Sequence, residues 1–493
     1  MMQPAQTWLV LALLLPWLAV PLAAGIRHAR WRNSLVLAIA AFTALAVCML
    51  AAAHQGGEGA SFTLLSWLPG VPLRFEADAL GLLFALVASI LWVATHGYSI
   101  GYMHENNEKN QPRFFACMAA SIGCAMGLAL SANLATSFIF YELMTLCTFP
   151  LVSHSGTDEA RRSGRLYLAT LMGASLILLL PAMLVIWQLA GSLDYRPGGL
   201  LAGAQHLPWL GLLLFACIYG TAKAAFMPLH RWLPAAMVAP APVSALLHAV
   251  AVVKAGVFLI AKIMLFIFGA KTLSAYAGLY PIGYGWLPLA AGVTVVLAGV
   301  AALRQDSLKL RLAYSTVGQL SYIILALSVL GGWAIIGAVA HIAAHALGKI
   351  TLFFAAGNIA TIAGKHKVSQ LDGIGRRMPW TMGAFALASL SIIGLPPMLG
   401  FVSKWWMLRG MLQAGDWFAF AVLALGSLLT SGYLLPIIYR AFFCAASEDE
   451  TPLSEVPWAM RLPVLATAAL CLLLFFLSPG LFAMLAPLQG EGI

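Results

Sequence analysis

His341, His345 and Lys349 follow one another at intervals of four, so on a helix rising 1.5 Å per residue they form one polar stripe about 12 Å long. The stripe lies inside an apolar run, His341-Ile-Ala-Ala-His-Ala-Leu-Gly-Lys. Histidine can donate, accept and carry a proton near neutral pH, so proton relay is one chemistry open to it. Hydrogen bonding between helices is the plainer alternative. Metal binding is the poorer reading, because no carboxylate or thiol accompanies the pair. Haem ligation is poorer still, since two histidines on one face of one helix cannot hold opposite sides of an iron.

Other titratable side chains are equally out of place. Glu142, Lys223, Lys254 and Lys404 all fall within apolar runs, as do His96 and His248. With Lys349 this makes five intramembrane charges, which at about 2.5 to 3.5 kcal/mol each would cost roughly 12 to 18 kcal/mol against lipid. They must therefore face the protein interior. Glu142 and Lys223 are the natural opposite-charge couple, and one reading of them is a static buried ion pair. Static pairs stabilise weakly, whereas burial disfavours a charged lysine and a nearby carboxylate favours it. A lysine that gains and loses such a partner can take up and release a proton.

The elements that position these groups follow from composition. Of 493 residues, 62% are hydrophobic and 9% charged, with a mean hydropathy of +0.91. Soluble domains carry about 25% charged residues, so the solvent here is lipid, and a sizeable extramembrane catalytic domain is excluded. Apolar runs of spanning length fall near 7–24, 33–53, 78–103, 114–131, 133–153, 166–190, 207–240, 243–268, 286–304, 310–330, 333–363, 379–412, 416–440 and 462–485. That is about 14 spans of about 20 residues each. The third, seventh, eleventh and twelfth runs are long enough to hold a tilt, break or kink.

Charge supports the count. Alternate loops, beginning with Arg27, Arg30 and Arg32 and including Arg161, Arg162 and Arg165, hold 18 of the 27 basic residues. The intervening loops hold 5, namely Arg74, Arg196, Lys262, Lys271 and Arg409. The basic loops are expected on the cytoplasmic side, with both termini opposite. Thr7 to Ala24 is expected to be a first span rather than a secretory signal, because basic residues follow it instead of preceding it. The net charge of +10 is scattered through short loops, which argues against nucleic acid. The seven cysteines show no C-x-x-C spacing and read as small buried hydrophobes, with no iron–sulfur or zinc site.

Lys223 is followed by Pro228, Pro234, Pro240 and Pro242, and Lys404 is preceded by Gly394, Pro396, Pro397 and Gly400. Spans seven and twelve thus each read as a broken helix bearing a lysine. Their odd offset is that of an inverted repeat with its site near midplane. The expected fold is an all-α polytopic membrane protein of about 14 transmembrane helices, with an inverted repeat of two five-helix units that each contain one broken helix. The expected divisions are three N-terminal spans in 1–113, a first half in 114–268, a second in 286–440 and a last span in 441–493.

Four stretches carry a resemblance. Lys223-Ala-Ala-Phe-Met-Pro-Leu-His-Arg-Trp-Leu-Pro runs on to Ala239-Pro-Ala-Pro-Val-Ser-Ala-Leu-Leu-His-Ala-Val-Ala-Val-Val-Lys; it is followed by Gln305-Asp-Ser-Leu-Lys-Leu-Arg-Leu-Ala-Tyr-Ser-Thr-Val-Gly-Gln-Leu. Then come the histidine stretch and Gly394-Leu-Pro-Pro-Met-Leu-Gly-Phe-Val-Ser-Lys. In order and spacing they resemble the antiporter-like subunits shared by respiratory complex I, Mrp cation/proton antiporters and membrane-bound hydrogenases, over roughly 114–440.

The resemblance implies a mid-membrane proton path. Glu142 resembles the fifth-span glutamate, Lys223 its seventh-span partner and Lys254 the eighth-span relay lysine, with His248 beside it. His341 and His345, with Lys349 below them, resemble the eleventh-span group, and Lys404 the twelfth-span terminal lysine. Ala235 departs from the pattern, many members having Asp there.

The expected role is a proton-translocating subunit of a prokaryotic inner-membrane complex, most similar to the Mrp type. A proton-pumping subunit of an NADH:quinone oxidoreductase or hydrogenase is the alternative. The resemblance also implies other hydrophobic antiporter-like subunits as partners, protons with Na+ or K+ as cargo, and no cofactor in this chain. The chain ends soon after its fourteenth run, so a long lateral helix is not expected. A stand-alone small-solute carrier is disfavoured because five charges strung over five helices suit a relay rather than one compact site.

Overall fold

A computed structural model describes residues 4–68, 71–445 and 454–491; Ile493, the C-terminus expected outside the cytoplasm, lies beyond the described residues. Among these, 12 helices are long and apolar enough to cross a membrane. They coincide with twelve of the fourteen apolar runs. The other two runs are split. The seventh yields Leu210–Gly220, then a single 3-10 turn, Ala222–Ala224, bearing Lys223, then the short Trp232–Ala235. The twelfth yields Pro379–Ile393 and Leu399–Gln413, parted by Gly394 and the two prolines.

Which helices are hidden follows from which carry charge. Ala241–Phe268, bearing Lys254, and Gly332–Ala363, bearing both histidines, are the two whose membrane stretches are wholly buried. Pro4–Gly25, Asp158–Ala190, Trp417–Phe443 and Trp458–Phe476 keep most of theirs on the outside. Peripheral helices thus show large aliphatic side chains outward, as at Leu14, Ile177 and Leu428, and enclose the polar pair. The histidine helix is 32 residues long and unbroken. The Lys254 helix is not, because wide π turns at Leu246–Val250 and Ile263–Phe268 flank its central Val252–Lys262 segment.

Local signals set the ends. Asn133 caps Leu134–Val152 by accepting from the Thr136 N–H at 2.8 Å, and Thr157 caps the next helix through Ala160. Proline opens Pro281–Arg304 and Pro379–Ile393, where its missing N–H costs nothing.

One feature was not foreseen. An antiparallel hairpin, β1 (Ser61–Leu68) and β2 (Val71–Glu76), precedes the third span and pairs Ser61 with Glu76 and Phe62 with Phe75. It is tied to the turn before the Glu142 helix by Glu76 N–H to the Leu130 carbonyl and by the Asn133 amide to the Pro72 carbonyl. At the opposite side of the helix ends, Asp306 accepts from the Ser369 N–H at 2.9 Å and hydroxyl at 2.8 Å, clasping two loops together. These bonds hold its carboxyl below the usual aspartate range.

Candidate functional site

The broken seventh helix delivers Lys223 to the interior. After Gly220 the chain leaves the helix, and Ala225 takes a left-handed φ of 53°. The turn lies against Gly256 of the Lys254 helix, where a Cβ would fall 2.1 Å from the Ala224 nitrogen. Only glycine permits that approach, so Gly256 fixes the distance between two lysine-bearing elements. Lys223 is fully buried. Its Nζ donates to the Tyr141 carbonyl at 2.7 Å and sits 3.2 Å above the Tyr141 ring.

Glu142 is the next residue, yet the structure draws no direct ion pair between it and Lys223. Among the described residues, both carboxyl oxygens are buried with no hydrogen-bond donor in geometric reach. The carboxylate lies within electrostatic reach of Lys223 and beside Ser175, whose hydroxyl hydrogen is directed at the Leu171 and Met172 carbonyls. The lysine thus rests on a neutral carbonyl and a π face, with the Glu142 carboxyl group nearby beside the Ser175 hydroxyl.

The centre is tighter. Lys254 Nζ donates to the His248 carbonyl at 3.0 Å and meets His345 Nδ1 at 2.6 Å. His248 lies in the π turn, and its Nδ1 is 3.3 Å from the Thr316 hydroxyl. That hydroxyl donates to the Leu312 carbonyl, which also accepts from Lys349 Nζ at 2.9 Å. Lys349 is therefore joined to His248 through one carbonyl and one hydroxyl, not to the histidines on its own helix.

His341 and His345 stack with ring centres 6.1 Å apart. His341 bonds on both sides, to Ser403 Oγ at 2.9 Å and to Gln319 Oε1 at 3.0 Å. Ser403 can point its hydrogen at the Gly400 carbonyl, 3.0 Å away, or at the ring. One hydroxyl rotation thus fits the site to a doubly protonated or a neutral imidazole. Gln319 is held by Thr430, at 3.3 Å, which Tyr433 also contacts. Lys404, adjacent to Ser403 in the chain, donates to the Ile393 carbonyl and to Ser427, and its Nζ is 5.0 Å from the Tyr322 ring. Gly394, with φ of 94°, makes room for it: a Cβ there would lie 2.7 Å from Lys404 Cδ.

His96 stands apart, donating to the Asn33 carbonyl at 3.2 Å. Among the described residues no three His, Cys, Asp or Glu side chains converge as a metal site. Residue counting overlooked Tyr141, Thr316, Gln319 and Ser403, although Thr316 and Gln319 were visible as polar residues in an apolar run.

Counting also misplaced Lys262. It belongs to no loop; it is 1% exposed at the end of Val252–Lys262, two turns from Lys254. There it pairs with Asp78, the N-cap of Ala79–Glu105, amid the rings of Tyr195, Phe266 and Phe258. Cys124 and Cys147, distant in sequence, meet with sulfurs 3.9 Å apart.

The family described as NADH:quinone oxidoreductase/Mrp antiporter, TM, matches residues 131–430, the stretch that contains Glu142, Lys223, His248, Lys254, His341, His345, Lys349 and Lys404. The chain belongs to that family. A second family, the N-terminus of complex I chain 5, matches 68–115, across β2 and the Asp78 helix. Among similar proteins, NADH-quinone oxidoreductase subunit N of Desulforudis audaxviator is 33% identical over 455 residues, 88% of this chain and 88% of that protein. Putative antiporter subunit mnhA2 of Staphylococcus haemolyticus is 29% identical over 443 residues, 84% of this chain; the chain spans only 54% of its length. A chain of the Mrp complex from Dietzia sp. DQ12-45-1b has the same fold, with a TM-score of 0.85 at 21% identity over 99% of this chain and 96% of that one. The protein is accordingly a multi-pass membrane member of the complex I and Mrp superfamily.

Proposed function

We propose that the chain is the proton-translocating, antiporter-like subunit of a multisubunit membrane complex, of the Mrp monovalent cation/proton type. The observation that carries this reading is the 2.6 Å contact between Lys254 Nζ and His345 Nδ1, which joins two otherwise separate groups of titratable side chains. In this reading Glu142, Lys223, Lys254, His248, Lys349, His341, His345 and Lys404 form the relay, and the two broken helices mark corresponding points of residues 114–268 and 286–440. Protons enter by exchange among neighbours and move along the membrane plane. Nothing in the relay supplies energy, so partner subunits, or a gradient of Na+ or K+, drive it. The chain itself needs no redox cofactor for this task. Its place is the inner membrane of a prokaryote, with the basic loops in the cytoplasm.

A second reading is favoured by the 33% identity to subunit N over 88% of both chains. There the same relay is driven by quinone reduction in partner subunits. Vesicles containing the intact complex separate the two. An imposed cation gradient should move protons in the Mrp reading, and the isolated chain should move few; proton movement only on adding a reductant and quinone favours the second reading. Full exchange by the isolated chain would overturn both in favour of a stand-alone carrier.

A further inference from the structure

Away from the relay, at the ends of the Glu142 helix and its successor, lies an open cavity of about 820 Å3 lined by Arg113, Arg161, Arg162 and Arg165 with Phe149 and Ser153. Its acidic member, Asp158, reaches Arg161 at 3.9 Å, and both are largely exposed. His154, also on the lining, brings no negative charge, and its ring meets Glu108 at 3.7 Å. Among the described residues the side chains of Arg113, Arg162 and Arg165 have neither an ion pair nor a hydrogen bond. Three unpaired guanidinium groups around a cavity make a strong anion attractor, and guanidinium geometry suits phosphate oxygens.

What lies below the arginines identifies the source of the phosphate. Arg162 and Arg165 stand on the Asp158–Ala174 helix, and the same exposed face continues through Leu166, 39% exposed, to Leu176 and to Ile177, 72% exposed. From Arg165 to Ile177 is about 18 Å of helix, close to the roughly 15 Å depth of one leaflet's hydrocarbon. A charged pocket capping an apolar, outward-facing stripe of that length matches a whole phospholipid rather than a free ion. We propose that this cavity binds the phosphate headgroup of an anionic phospholipid, with an acyl chain along Leu166 to Ile177. The inference rests on the membrane placement but not on proton translocation. Basic pockets between helices on the cytoplasmic side are suited to such headgroups.

The test is native mass spectrometry of the full chain with added diphosphatidylglycerol, phosphatidylglycerol or phosphatidylcholine. The anionic lipids should stay bound where phosphatidylcholine does not. The pair Arg162→Gln/Arg165→Gln should weaken retention about 25-fold, at roughly a factor of five per arginine. Arg162→Lys/Arg165→Lys should keep most of it, and Arg27→Gln/Arg30→Gln, in another basic loop, should leave it unchanged. Equal unfolding temperatures in phosphatidylcholine certify that the variants are folded. The proposal is overturned if the Gln pair retains lipid like the unaltered chain, or if phosphatidylcholine binds equally. It is also overturned if inorganic phosphate alone displaces the lipid at millimolar concentration, which would mark a free-phosphate site, or if the native complex carries an acidic partner segment crosslinked at Arg165 with no lipid there.

Discussion

Lys254 Nζ and His345 Nδ1 lie 2.6 Å apart although 91 residues separate them in the chain. When Lys254 carries its proton it has only hydrogens to offer, so in that state Nδ1 is the acceptor and the ring proton sits on Nε2. That nitrogen is buried and has no partner among the described residues. Handing the lysine proton to Nδ1 yields a ring protonated on both sides, with its far N–H free to pass a proton toward His341, 6.1 Å away between ring centres. His345→Ala should therefore abolish proton flux in vesicles carrying the complex while leaving assembly intact on a native gel. Normal flux in an assembled His345→Ala complex would remove this contact from the mechanism.

How much of this was legible in the sequence depends on the range of the interaction. Helical period alone places His341 and His345 on one face, and the cost of charge in lipid alone drives Lys223, Lys254, Lys349 and Lys404 inward; the structure buries all of them. Which carbonyl or ring each one meets is a matter of tertiary contact, so neither the Tyr141 perch of Lys223 nor the Thr316 bridge from Lys349 to His248 could be read from spacing. Lys262 was misplaced for a related reason: a lysine at the end of an apolar run looks like a loop charge until its partner, Asp78, comes in from 184 residues away. The hairpin was missed because Ser61–Glu76 is too short and mixed to register against spans of about 20 residues.

Lys404 tests whether the relay needs a group that can lose its proton. Its stem passes Gly394 and its Nζ is satisfied by the Ile393 carbonyl and Ser427. Lys404→Ala removes the carrier, and Lys404→Arg keeps the charge but cannot release it. Both should stop flux in assembled complex. A purely structural lysine predicts the reverse ranking, with Arg tolerated and Ala failing to assemble, so flux and a native gel measured together decide the matter.

The membrane orientation has its own test. Arg165 and Arg377 both belong to the basic set of loops, and moving Lys262 into the protein leaves Arg74, Arg196, Lys271 and Arg409 on the other side, which sharpens the asymmetry. Reporter fusions after Arg165 and after Arg377 should read cytoplasmic, and one at Ile493 should not. A non-cytoplasmic signal at either internal site breaks the assignment.

The pair of Asp78 and Lys262 makes the sharpest stability prediction. Asp78 does two things at once: one carboxylate oxygen accepts from the Gly81 N–H at 3.0 Å, capping the Ala79–Glu105 helix, and the other meets Lys262. Among the described residues Lys262 has no second carboxylate partner, and the faces of Tyr195, Phe258 and Phe266 lie around it. Asp78→Asn keeps a capping oxygen but removes the counter-charge, leaving a lysine that is 1% exposed without its anion. Breaking one side of a fully buried pair costs about 3 to 5 kcal/mol, and the 32% exposure of the Asp78 side chain puts this pair below that figure, while replacing a buried pair by groups of similar volume is often nearly neutral. Asp78→Asn alone should therefore lower the unfolding midpoint in detergent sharply, and adding Lys262→Met should restore most of it because the methionine stem keeps the contacts with the rings. If the single variant unfolds like the unaltered chain, the lysine is not held by this carboxylate; if the double variant is no better than the single, the loss comes from the cap and hairpin rather than from the orphaned charge.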